Sequence, residues 1–283
     1  SMISPSTPLR SPPSPPPAPP TPAPRAAQVA DKSISGVANV VLPLANGEPC
    51  DYRTLTISYA TSITIGAGCR AERLTIRYYS YDRNVVSVAI SHANFGQVYV
   101  YPPYSYAAAT ARTFSMDSCT IGLIKRYTTG LYLTSTFRKW EIAITNSTIA
   151  ATRTGVYIYR VRDGSSASIT DSNVTVTMDA QSTTYGVRVY YSYGYNERFT
   201  VSRSTVAVVN PKEFHATSYG INIGSSTWRG LANITHSKVL IDSHYTSYAV
   251  RIGKTYSAAC VDISDTEIVS ECQDRACYYR GSK

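Results

Sequence analysis

The chain has 283 residues, with 27 Lys and Arg against 18 Asp and Glu, for a formal net charge of +9. Such a surface favours anionic partners, but no nucleic-acid-binding motif accompanies it, so no specific nucleic-acid partner is expected. No run of about 18 apolar residues exists, which leaves no segment fit for a membrane-spanning helix, and amphipathic helix periodicity is absent throughout.

Residues 1–33 form a separate compositional segment. Eleven prolines fall between Pro5 and Pro24, with hardly an apolar side chain larger than alanine. Such a stretch cannot bury enough surface to offset its ordering entropy, so it predicts a disordered tail or linker. A ligand for a PxxP-reading domain is the second reading. The start, SMISPSTPLR, has no apolar signal-peptide core.

Six cysteines follow, at Cys50, Cys69, Cys119, Cys260, Cys272 and Cys277, without a CxxC pair or a neighbouring His. That pattern does not describe a metal site. Cys50 with Cys69, and one pair among Cys260, Cys272 and Cys277, have loop lengths suited to disulfides. Cys119 reads as buried packing.

From Val88 to Ile268 a short motif occurs seven times: VAISHANF, FSMDSCTI, IAITNSTI, ASITDSNV, FTVSRSTV, ANITHSKV and VDISDTEI. Its reference residues are Ile90, Met116, Ile144, Ile169, Val201, Ile234 and Ile263, so the steps are 26, 28, 25, 32, 33 and 29 residues. The positions two before and five after each reference residue are apolar in every copy. Period-two alternation puts the first two apolar residues on one side of a strand. The position three after is always small, from Ala93 and Cys119 to Ser237 and Thr266, as a tight corner requires.

A further strand lies between copies: GQVYVY, TGLYLT, TGVYIY, YGVRVY, YGINIG, YAVRIG and ACYYRG. A Gly or Ala usually precedes its apolar pair, where a corner can demand an unusual backbone angle. One such unit cannot bury its own inner face, and stacking units at about 4.8 Å buries a continuous column. The prediction is an all-β fold: a single right-handed parallel β-helix over residues 34–283, with about seven to nine rungs of at least two strands. The chain stops after ACYYRG without a capping helix. An uncapped carboxyl end is therefore expected, where a neighbouring β-helix segment could add.

These repeats resemble those of right-handed parallel β-helix proteins of the pectate-lyase-like superfamily, over about residues 50 to 283. The polar-turn cadence, sequons and Pro-rich tail are more loosely similar to kinetoplastid surface proteins of the dispersed gene family type. The superfamily resemblance implies a polysaccharide lyase or glycoside hydrolase as one function. Similarity to its polygalacturonases would require Asn-Thr-Asp, Asp-Asp, Gly-His-Gly and Arg-Ile-Lys, and only Arg251-Ile252-Gly253-Lys254 echoes any of them. The nearest acid cluster, Asp262, Asp265 and Glu267, straddles a corner, whereas paired-carboxylate hydrolysis needs two acids on one face. The histidines are dispersed. No catalytic residue, metal ligand or cofactor is assigned, and the expectation leans away from an enzyme.

The outward positions of the further strand carry the better functional candidate. Tyr99, Tyr132, Tyr157, Arg188, Asn222 and Arg251 fall in one outward column, and Tyr101, Thr134, Tyr159 and Tyr190 in a second. Together they predict a Tyr/Arg ladder suited to a glycan or an acidic surface. The competing reading is a ladder that only stabilises an exposed sheet. Asn-x-Ser/Thr acceptors at Asn146, Asn173 and Asn233 lie in or beside the polar turns. With the even cysteine count they tilt the location towards the extracellular space or the cell surface. The expected function is a structural and adhesive module, with the polysaccharide-cleaving enzyme and a passive spacer as alternatives.

Overall fold

A computed structural model describes residues 31–44, 48–77, 87–101, 112–122, 124, 126–162, 164–193, 197–224, 230–252 and 260–271. The Pro-rich segment up to residue 30, Cys272, Cys277 and the expected uncapped end lie outside the described residues. The first strand, Lys32–Ser35, begins just inside the compositional boundary drawn at 33/34.

All described strand pairing is parallel, and the chain is a β-solenoid of three-strand rungs. The motif strands build the first face, a 9-stranded sheet in strict sequence order. It comprises Asn39–Leu42, Ser62–Ile65, Ser87–Ser91, Arg112–Asp117, Trp140–Thr145, Ser166–Thr170, Arg198–Ser202, Leu231–Thr235 and Cys260–Ser264. After one corner the chain enters the second face, at Thr120–Ile121, Thr148–Ala151, Asn173–Thr177, Thr205–Asn210, Lys238–Ser243 and Glu267–Glu271. After another it enters the third, at Thr129–Arg138, Thr154–Arg162, Thr184–Tyr193, Ser218–Ile223 and Ser247–Ile252. In the early rungs Asp51–Ser58, Arg70–Arg77 and Asn94–Tyr101 cross both faces as single strands. Asn94–Tyr101 accordingly pairs with Thr120–Ile121 at one end and with Leu131–Leu133 at the other.

The inward columns follow the repeat. Leu42, Ile65, Ile90, Met116, Ile144, Ile169, Val201 and Ile234 stack in register and are buried. In the neighbouring column Phe199 sits between Ala167 and Ala232.

The polar turn is a repeated backbone device. His92, Ser118, Asn146, Asp171, Arg203, His236 and Asp265 all take the left-handed conformation, with φ between 47° and 52°. None is glycine, so each carries a backbone penalty of order 1 kcal/mol. The small residue that follows offsets it. The Ser147, Ser172, Ser204 and Ser237 hydroxyls each donate to the carbonyl two residues earlier at 2.7–2.8 Å. Each also accepts the amide of the same position one rung earlier, at 3.1–3.2 Å. The position is small because the turn is tight and hydroxylated because a buried amide needs an acceptor. Cys119 donates its thiol in the same way, to the Asp117 carbonyl at 3.2 Å, and burial pushes that thiol's pKa up.

Followed towards the amino end, this column runs from Cys119 to Ala93 and then to the bonded pair Cys69 and Cys50, each linked to the next rung by a backbone hydrogen bond. The expected Cys50–Cys69 disulfide is present and joins adjacent rungs, with Cα atoms 4.5 Å apart. Ser204→Ala should leave the buried Ser172 amide without its acceptor and cost about 1–3 kcal/mol, read as a lower urea midpoint at unchanged m-value.

The corner glycines depart from expectation. Gly130, Gly155, Gly186 and Gly220 are absent from the positive-φ residues. They are small for space: a Cβ on each would collide with the second-face side chain of the next rung and with a backbone oxygen of the adjacent third-face strand.

Candidate functional site

The third face places Thr75, Tyr99, Tyr132, Tyr157, Arg188, Asn222 and Arg251 in one outward column by strand register. All but Thr75 are residues that strand parity placed in one column. Tyr132 and Tyr157 lie 4.8 Å apart with planes at 3°, whereas Tyr99 meets Tyr132 edge-on at 62°. The second predicted column is interrupted. The rung of Thr134, where the register also shifts between Leu133 and Thr136, stands between Tyr101 and Tyr159, so Tyr101 stacks on Tyr99 of its own strand at 5.9 Å, while Tyr159 and Tyr190 stack across rungs at 5.6 Å.

A third column escaped the parity count. Tyr185, Tyr219 and Tyr248 pair in register on three successive rungs. Their rings stack at 5.0 and 5.1 Å with planes within 8°. The signal was the Tyr that opens YGVRVY, YGINIG and YAVRIG. It lies before the corner glycine or alanine, so alternation counted within the strand does not reach it.

Arg188 joins the columns. Its guanidinium carbon lies 4.3 Å from the Tyr185 ring centre, 4.7 Å from Tyr190 and 5.4 Å from Tyr157. Arg251 lies 5.5 Å from Tyr219, and Arg73 spans Tyr99 and Tyr127 at 5.9 and 5.5 Å. Cation–π contacts of this kind contribute about 0.5–2 kcal/mol each, most where water is excluded. Burial pushes the phenol pKa of Tyr157 up to about 12 against the opposing pull of Arg188. Tyr99, Tyr132 and Tyr219 are raised by burial as well. These four phenols therefore stay protonated and act as neutral hydroxyl donors beside permanent positive charge.

Ring orientation alters the chemistry expected of this wall. Rings stacked along the axis turn their faces on one another, so edges and hydroxyls are what a ligand meets. The wall is built for hydrogen bonding and charge more than for stacking flat sugar faces.

The remaining candidates are spread out. Asn146 is exposed in its left-handed turn and donates to Asp117 at 2.9 Å. Asn173 is exposed at the start of a second-face strand. Asn233 is half-buried in mid-strand, outside the turn, between Thr200 and Asp262. Of the acid cluster, Asp265 faces His236 at 3.5 Å and Glu267 faces Lys238 at 3.0 Å. Asp262 stands on the first face, so the three do not converge. Among the described residues no group of three or more His, Cys, Asp and Glu side chains could hold a metal ion, and no helix is long and apolar enough to cross a membrane.

Comparison with protein-family models, with curated proteins and with solved structures finds no match. What can be assigned is the fold, a parallel β-solenoid with three outward tyrosine columns tied together by arginines on one face.

Proposed function

We propose that the solenoid is a structural and adhesive module of the extracellular space or cell surface, and that its Tyr/Arg face holds an extended glycan along the axis. The observation that carries this reading is Arg188, a permanent cation held among three tyrosine rings on a face that also carries Arg251. The cage holds the guanidinium in place, so little conformational freedom is lost when it meets an acidic or hydroxylated ligand. The disulfide and the exposed acceptors Asn146 and Asn173 support the location, with glycans expected at those two sites and at Asn233. Membership of the pectate-lyase-like superfamily and kinship with dispersed-gene-family surface proteins belong to the same proposal, supported by the parallel rungs and the repeat.

A glycan array probed with the wild-type chain and with Arg188→Gln tests the reading. Binding should weaken by roughly tenfold in the variant, as loss of a charge-assisted contact would dictate. Unchanged binding by a folded variant would overturn it. The passive-spacer reading has its own support, since the stacked rings satisfy one another. It predicts an empty array for both proteins.

A further inference from the structure

The outward column through Arg188, Asn222 and Arg251 alternates cation, amide and cation on successive rungs. Successive rungs lie about 4.8 Å apart, so the two arginines are spaced by roughly 9.6 Å along the axis. A sugar in an extended glycan advances by about one rung, which places the two guanidiniums over alternate sugars. The middle position is not simply neutral. Asn222 is 7% exposed, and its side-chain oxygen is shut off from water with no hydrogen-bond partner. The Nε of Arg188 is likewise buried and unpartnered. Arg251, by contrast, is exposed beside the Tyr219 ring.

We infer that this column selects a glycan bearing an acidic group on every second sugar over one bearing an acid on every sugar. The inference rests on the glycan-binding reading of this face. Arg188 and Arg251 each take one acidic group. As Arg251 moves onto its acid, a hydroxyl of the intervening sugar donates to the unpaired oxygen of Asn222. An acid on that intervening sugar instead finds no cation at this rung and must be partly desolvated against a neutral amide, a cost that a hydroxyl escapes. General attraction to a chain of net charge +9 predicts the opposite order, since the fully acidic polymer is the more highly charged. The two explanations therefore separate cleanly.

The test is calorimetric titration of the whole chain, at physiological ionic strength, with hyaluronan and oligogalacturonate oligosaccharides of equal sugar number. Hyaluronan carries its acid on alternate sugars and no sulfate. Wild type should prefer it by roughly tenfold. Asn222→Arg, which makes three successive cations, should reverse the preference. Arg251→Gln alters an exposed side chain and is the safeguard should Asn222→Arg fail to fold: it should bring the ratio close to unity. Equal or stronger binding of oligogalacturonate by wild type, or a ratio unmoved in the folded variants, overturns the inference while leaving glycan binding standing. Binding of neither oligosaccharide, together with an empty array, removes the glycan reading and this inference with it.

Discussion

Phe199→Ala should destabilise the solenoid by about 3–5 kcal/mol, among the larger losses expected from a single truncation in the described core. Phe199 is 0% exposed, and its rung neighbours in the inward column are Ala167 and Ala232. The aromatic ring fills the room that the two alanines leave, so its removal puts three alanines in a row. Backbone hydrogen bonds fix the rung spacing, so the walls cannot collapse into the void, which is the circumstance in which the cavity contribution is greatest. Chemical denaturation should show the lower midpoint. A second substitution, Ala167→Ile in the Phe199→Ala background, should recover part of the loss by restoring volume to the column. A loss below about 1 kcal/mol would mean that the column repacks freely.

Gly186→Val should cost about 3 kcal/mol or more, by overpacking. A Cβ at Gly186 would fall within contact of Val206 Cγ1 and lie 2.6 Å from the Gly220 carbonyl oxygen. One obstacle is backbone held in a ladder, so the conflict cannot be relieved by a rotamer change. At the same ladder position Ala249 carries a Cβ. There the next rung contributes Ile268, which is 40% exposed and has room to give. Thermal unfolding of Gly186→Val should show the loss, and a wild-type midpoint would refute the spatial account of these glycines.

The repeat was legible because a solenoid writes its cross-section into the chain once per rung. The apolar triplets of the first six copies are buried in the core, and parallel stacking follows from them. Two further rungs escaped the fixed spacing. Ile65 is followed by its second-face partner Ala71 six positions on, where the motif has five, because the turn through Gly68 holds an extra residue. The role of Ser204 was half legible: size could be read from the chain, but the acceptor function of its hydroxyl depends on an amide one rung away. Six members of the first outward column, Asn222 among them, followed from strand parity. Tyr185, Tyr219 and Tyr248 did not, since a corner glycine or alanine stands between them and the strand that sets the parity. Ring orientation was not legible at all. It depends on neighbours about 4.8 Å away along the axis, and no spacing within a single copy encodes it.

Because every rung is tied to the next by hydrogen bonds that run along the axis, a pull from end to end loads them rung by rung and not all at once. Under tension the structure should peel, each rung paying out 25 to 33 residues of chain, at most about 80–120 Å when fully extended. Work is then absorbed in many small steps instead of one rupture. The rungs joined through Cys50 and Cys69 are the exception, since a covalent bond spans them and the chain between the two sulfurs cannot be drawn out.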